Sequence, residues 1–109
     1  MSKMIEDFKF SRAMADAAIE GRKVATTRNE RKGEIGDTFH IYDDGGFPAT
    51  FRIIEIMATD LETIANLYFR LEGFKSPEAF RATWRKLHRG HYTTGKIVYM
   101  HIFARCEDL

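Results

Sequence analysis

Apolar and polar positions recur along the chain with two periods, which predict the order helix, strands, two helices, strand. The first segment repeats apolar residues at the spacing of one helix face: Phe10, Met14, Ala17 and Ala18. Ser11 precedes this pattern as a helix N-cap. Gly21 follows it and can adopt the left-handed conformation that ends a helix. We therefore predict a short helix between Ser11 and Gly21.

After Gly21 the apolar period changes to two, which is typical of half-buried strands. We predict an extended segment over 23–28, a strand over 38–42 and a longer strand over 49–58. Asp43-Asp44-Gly45-Gly46 is a tight-turn sequence, so the last two strands should pair as a hairpin. The longer strand has apolar residues on both faces, so its middle should be covered from two sides, as in a closed or nearly closed sheet.

The second half of the chain begins with apolar residues at helical spacing: Leu61, Ile64, Ala65, Tyr68 and Leu71. Ser76-Pro77-Glu78 then predicts the start of another helix, with a capping hydroxyl and proline in the first turn. On that helix Phe80, Trp84 and Leu87 share one face, and a strand over 97–105 follows. The pattern indicates one α+β domain over residues 1–109, a small mixed β-barrel flanked by about three helices.

Composition narrows the class of protein. The 109 residues are 44% hydrophobic and 13% aromatic, which excludes a disordered chain, and the net charge of +1 shows no overall basic excess. Cys106 is the only cysteine, so an intramolecular disulfide and a cysteine zinc site are excluded; we expect it to be an apolar filler of the last strand. Without a signal-like segment or an apolar run of about 20 residues, we expect a cytoplasmic protein with no membrane partner.

The segment Gly21-Arg22-Lys23-Val24-Ala25-Thr26-Thr27-Arg28 combines three cations and two hydroxyls at a helix-to-strand corner. Such a corner can present backbone N–H groups, cations and hydroxyls to an anionic or polar ligand. An ordinary edge strand with solvated charges is the alternative interpretation. The sequence leaves both interpretations open.

The elements Gly21-x-Lys23-x-x-Thr26-x-Arg28, Gly36-Asp37 and Glu72-Gly73-Phe74, in this order around the predicted helices, resemble the ASCH domain family of the PUA-like superfamily. The resemblance extends from the first helix to the last strand. It implies a small β-barrel whose cleft takes RNA or a modified nucleoside. The chain is similar in length to the family's small amidohydrolases, which remove the acetyl group from N4-acetylcytidine.

The resemblance also implies a catalytic set, because the lysine, threonine and glutamate of those enzymes fall on Lys23, Thr26 and Glu72. Either Thr26 or a water activated by Lys23 would attack the acetyl carbonyl, and Glu72 would move a proton and orient the substrate. A lysine serves as the base only when burial or neighbouring cations lower its pKa towards neutrality. An ionised Glu72 would raise this pKa, so either Glu72 is protonated or Lys23 remains an ammonium group that stabilises the oxyanion.

Geometry constrains this catalytic set. Residues three apart on a regular strand point to opposite faces of a sheet, so Lys23 and Thr26 cannot converge on an unbroken strand. We therefore predict a bulge or a turn-like corner between Gly21 and Thr26.

Two other functions are consistent with the same residues. An RNA-binding module without turnover would hold phosphates with cations and stack a base on an aromatic ring, and the candidate contacts are Arg22, Arg28, Arg85, Arg89 and Tyr92. A ribonuclease would use histidines as acid and base. A metal site is not expected, because Gly90 separates His88 from His91 and no carboxylate completes a set. We predict no cofactor.

Overall fold

The computed structural model describes residues 2–109 and contains five strands and three helices. The strands are β1 (Met4–Ile5), β2 (Ala25–Arg28), β3 (Thr38–Tyr42), β4 (Pro48–Asp60) and β5 (Ile97–Arg105). The helices are α1 (Arg12–Ile19), α2 (Leu61–Leu67) and α3 (Pro77–Leu87), and a short 3-10 helix, Cys106–Asp108, follows β5.

All five strands belong to one mixed sheet with the order β1-β3-β4-β5-β2. The pairings β3–β4, β4–β5 and β5–β2 are antiparallel, whereas β1 pairs with β3 in parallel. Within residues 2–109, the outer strands β1 and β2 have no ladder pairing with each other, so the sheet is open. The predicted α+β class is confirmed, but closure into a barrel is not. The outer strands have only two and four residues and leave the sheet with short edges.

The hairpin of β3 and β4 is confirmed. Tyr42 faces Pro48 in the register, and Asp43 Oδ1 accepts a hydrogen bond from Phe47 N at 2.9 Å across the turn. Strand β4 extends beyond the predicted range at both ends, because Pro48 pairs with Tyr42 of β3 at its start and β5 pairs with it as far as Asp60 at its end.

A register shift between Ile53 and Glu55 marks a β-bulge in β4. The inserted residue changes which face the following side chains occupy. Ile53 is fully buried and Ile56 packs partly against the same core, while Ile54 is 44% exposed. The prediction that the middle of this strand is covered from two sides is therefore wrong at Ile54, where a bulge accounts for the break in alternation.

The sheet separates two apolar cores. One lies under α1 and is rich in phenylalanine, with edge-to-face contacts between Phe39 and Phe103 and between Phe51 and Phe103. The other lies under α2 and α3 and includes Trp84 and Met100. Strand β5 supplies residues to both cores, which explains the apolar residues on both of its faces.

Helices α1 and α3 begin at the serine caps predicted for them. Ser11 Oγ accepts a hydrogen bond from Met14 N at 3.3 Å at the start of α1. Ser76 Oγ accepts one from Ala79 N at 3.1 Å at the start of α3. Gly21 lies two residues beyond α1 with a φ of +84°, in the left-handed region expected for a helix stop.

Other positions differ from the sequence patterns. Helix α2 ends at Leu67. The apolar residues Tyr68 and Leu71, which continue its spacing, lie in the turns after the helix and pack against the same core. Leu87 is 67% exposed at the last turn of α3 and does not extend the buried face. Cys106 lies in the 3-10 helix beyond β5 and is partly exposed. None of the helices in residues 2–109 has the length and apolar character needed to cross a membrane.

Asp37 anchors β1, the strand that the sequence pattern did not reveal. Its buried carboxylate accepts hydrogen bonds from Lys3 N at 2.9 Å and Glu34 N at 2.8 Å. These two backbone donors lower the pKa of Asp37. The two-residue β1 is therefore held beside β3 by its ladder, by burial of Ile5 and by this polar contact, and a strand so short leaves no periodic signal in the sequence.

His101 is a fully buried polar residue in β5. Its Nε2 accepts a hydrogen bond from Lys32 N at 2.9 Å, and its Nδ1 lies 3.3 Å from Thr26 O. A backbone carbonyl cannot donate, so both contacts are satisfied only by the neutral ring with its proton on Nδ1. Burial lowers the pKa of His101 to about 4, and Arg28 and Arg31 add a smaller effect in the same direction.

We expect the free energy of unfolding to fall by about 3 kcal/mol as pH decreases from 6.5 towards 4, because only the unfolded histidine takes up a proton in that range. The stability that the neutral His101 ring contributes is fully present above pH 6.5 and is lost as the pH falls towards the folded-state pKa of about 4. Urea unfolding of wild type, His101→Gln and the exposed-site control His91→Gln, at several pH values, measures it. Equal pH dependence in wild type and His101→Gln would contradict the assignment.

Candidate functional site

The site begins at the corner between α1 and β2. Gly21 reverses the chain, and Arg22 N and Lys23 N then both donate hydrogen bonds to Ala17 O, at 2.9 and 3.1 Å. Strand β2 starts only at Ala25, so Lys23 precedes the regular ladder. The corner predicted between Gly21 and Thr26 is present, and the strand predicted to begin at residue 23 is two residues shorter.

The turn segment after α2 packs against this corner. Val24 N and Ala25 N both donate to Leu71 O, at 2.8 and 3.0 Å, and so place Glu72 beside Lys23. The next residue, Gly73, has a φ of +90°. A Cβ atom there would lie 3.1 Å from Lys23 Cβ, so the close approach of the two segments needs glycine.

Lys23 and Glu72 form a buried ion pair. Their exposed fractions are 2% and 3%, and Lys23 Nζ lies 3.4 Å from Glu72 Oε1 and 3.1 Å from Glu72 O. Burial lowers the pKa of the Lys23 ammonium group below its ordinary value. The charge and hydrogen bond of Glu72 raise this pKa, Arg28 lowers it slightly, and the net direction is downwards.

The two threonines of β2 have different partners. Thr27 Oγ1 donates a hydrogen bond to Glu72 Oε2 at 2.7 Å, whereas Thr26 Oγ1 accepts one from Arg28 Nε at 3.4 Å. The motif indicates Thr26, whereas the threonine that hydrogen-bonds Glu72 is Thr27. Strand alternation could not separate the two threonines, because the chain turns before β2 begins at Ala25 and Lys23 lies outside the regular strand.

Arg28 lies against the aromatic residues of the segment before α1. Its guanidinium carbon is 4.8 Å from the centroid of Phe8 and 5.2 Å from that of Phe10. Arg28 also donates a hydrogen bond to Lys9 O at 2.8 Å. Burial lowers the pKa of Arg28, and the charges of Glu72 and Asp7 oppose that effect.

These groups line one cavity of about 480 Å³ between β2, α3 and the segment before α1. The polar residues of its lining include Lys23, Thr26, Thr27, Arg28 and Glu72. The apolar part consists of Phe10, Phe74, Phe80, Trp84 and Leu87. Trp84 packs in the core under α2 and α3 and also lines the cavity.

Four predicted RNA or substrate contacts lie outside this cavity lining. Arg22 is exposed and pairs with Glu20 at 3.0 Å. Arg85 lies over the Tyr92 ring at 4.9 Å, and the Tyr92 hydroxyl donates to Glu62 Oε1 at 3.0 Å. The fourth residue, Arg89, is exposed at a positive φ of 56° just after α3.

His88 also lines the cavity. Its ring stacks on Trp84 with 4.0 Å between centroids, and its Nδ1 lies 2.8 Å from Trp84 O. Across residues 2–109, no three His, Cys, Asp or Glu side chains are grouped so that they could hold a metal ion.

Solved structures share this arrangement of elements. The ASCH domain from Lactobacillus crispatus JV V101 aligns over 95% of this chain and 79% of its own, with a TM-score of 0.64 and 16% identity. The ASCH protein from Zymomonas mobilis aligns over 94% and 67%, with a TM-score of 0.67 and 14% identity. The chain has an ASCH fold. An Enterococcus faecalis V583 protein of the DUF984 family shares the ASCH fold of this chain, with a TM-score of 0.64, 15% identity and coverage of 96% and 76%. No family model and no curated protein match the sequence.

We expect Gly73→Ala to reduce the free energy of unfolding by about 1–3 kcal/mol, because alanine is strained at a φ of +90° and its Cβ meets Lys23. Urea unfolding at pH 7 measures the change. Gly95→Ala is the matched control, since a Cβ at Gly95 meets nothing within 4 Å. A loss no larger than that of Gly95→Ala would contradict the role of Gly73.

Proposed function

We propose that this protein is an amidohydrolase that removes the acyl group from N4-acetylcytidine or a related acylated nucleoside. The observation that supports this proposal is the buried pair of Lys23 and Glu72 on the polar side of an aromatic-walled cavity. A cavity of about 480 Å³ falls within the range of small-molecule sites. Its apolar wall suits a flat pyrimidine ring.

Lys23 is the proposed general base. A base must be unprotonated before it accepts a proton, and burial favours the neutral amine. Arg28 adds a cation near the same end of the cavity, which also favours the neutral amine. The Arg28 guanidinium is in addition available to stabilise negative charge on the acyl oxygen.

The reaction breaks the amide bond between the acyl carbon and N4 of the base. A hydroxyl oxygen, from Thr26 or from water, bonds to the acyl carbon while its proton passes to Lys23. When the C–N bond breaks, its electron pair stays on N4, which receives a proton by way of Lys23 or Glu72. Attack by water releases the carboxylic acid and cytidine directly, whereas attack by Thr26 forms an ester that water then hydrolyses to release the acid.

We expect wild type to convert N4-acetylcytidine to cytidine and acetate, and Lys23→Ala to reduce kcat at least 100-fold through loss of the base. Chromatography of the nucleosides measures the conversion. Lys86→Ala, an exposed lysine of α3 outside the cavity lining, is the control and should retain wild-type activity. Absence of conversion by wild type, or equal conversion by Lys23→Ala, would reject the proposal.

RNA binding without turnover is a second candidate function. The observation in its favour is that Lys9 and Lys32 accompany Arg28 in the cavity lining, where cations could contact phosphates next to an inserted base.

For this second function we expect affinity for single-stranded RNA to fall steeply with salt, and Lys9→Ala to weaken binding and reduce the salt slope by about one. Fluorescence anisotropy over a range of salt concentrations measures both effects, with Lys86→Ala as control. Salt-independent binding would contradict it, and cleavage of the RNA would indicate a ribonuclease instead.

A further inference from the structure

The two carboxylate oxygens of Glu72 contact different partners at different distances. The Thr27 hydroxyl donates to Oε2 at 2.7 Å, which is an ideal length for an O–H···O hydrogen bond. Lys23 Nζ lies 3.4 Å from Oε1, whereas a charge-assisted N–H···O bond in good geometry measures about 2.7–2.9 Å. The neutral hydroxyl therefore has the better contact, although the ammonium group has the stronger attraction.

The backbone positions of Thr27 and Lys23 explain why the hydroxyl makes the shorter contact with Glu72. Thr27 lies inside the ladder, opposite Met100 of β5, and its β-branched side chain has few rotamers. Lys23 lies before the ladder, and its Nζ is closer to Glu72 O, at 3.1 Å, than to the carboxylate. Thr27 is 8% exposed, so water does not readily replace its hydroxyl.

We infer that Thr27 is a positioning residue that holds the Glu72 carboxylate away from Lys23 Nζ and so keeps Lys23 able to act as a base. For its effect on catalysis this inference rests on the proposed function, but its geometric part does not. The motif Gly21-x-Lys23-x-x-Thr26-x-Arg28 leaves position 27 unspecified.

A physical consequence distinguishes this role from simple packing. Glu72 raises the pKa of Lys23, in opposition to burial. Without the Thr27 hydroxyl, Glu72 is free to turn towards Nζ and tighten the ion pair. The pKa of Lys23 should then rise, and less of the neutral base should be present at pH 7.

The experiment compares Thr27→Val, which replaces the hydroxyl with a methyl group of similar size, with Thr27→Ser, which keeps the hydroxyl. Thr50→Val is the control, because Thr50 hydrogen-bonds His40 on the same sheet and lies outside the cavity lining. Thr27→Ala provides a second variant without a hydroxyl if valine disturbs folding.

Two measurements are made on each protein. The first is the pH profile of kcat with N4-acetylcytidine: for Thr27→Val we expect the acidic limb to move to higher pH and kcat at pH 7 to fall about tenfold, with KM nearly unchanged. The second needs no activity and follows the titration of Lys23 by the NMR signal of its ε carbon. Its midpoint should move to higher pH in Thr27→Val and Thr27→Ala, but not in Thr27→Ser or Thr50→Val.

The outcomes separate the two proposals. An inactive wild type rejects the amidohydrolase, while the Lys23 titration still decides the role of Thr27. An active wild type with an unchanged pH profile and unchanged titration in Thr27→Val overturns the positioning role and leaves the amidohydrolase standing. A titration midpoint that moves to lower pH also overturns it, because Glu72 would then have been held towards Lys23 by Thr27.

Discussion

The buried contact between Lys23 and Glu72 is the constraint on which the candidate site depends. Removing two charges from water costs several kcal/mol per ion, and only close contacts with further hydrogen bonds offset that cost. Here the carboxylate has the Thr27 hydroxyl and the ammonium group has a backbone carbonyl. The pair joins residues 49 positions apart, so it also holds the α1–β2 corner against the turn after α2.

The open sheet determines where this pair can lie. Strand β2 is an edge strand, so the side away from β5 is available to the turn segment that supplies Glu72. Helix α3 covers that end of the sheet without filling it, and the cavity occupies the remaining space. His101 contributes from the neighbouring strand, since it links the backbone of Thr26 to that of Lys32 through one neutral ring.

Features with a local cause were predictable from the sequence. The caps at Ser11 and Ser76 and the β3–β4 turn each depend on a few adjacent residues, and the structure has all three. The expectation that Lys23 and Glu72 lie together came from the motif resemblance, because periodicity does not predict contacts between distant segments. The bulge at Ile54 and the strand β1 depend on pairing partners, which no short window reveals. Thr27 was overlooked because the chain turns between Lys23 and the start of β2, so strand alternation does not relate the two positions.

The stack of Trp84 and His88 at the cavity wall has an optical consequence. Trp84 is the only tryptophan in the chain, so all indole emission comes from one ring that faces the cavity. The emission of an indole depends on the groups that touch it. Any molecule that enters and displaces solvent from this wall will therefore change the fluorescence of the unlabelled protein, which makes the site its own indicator of occupancy.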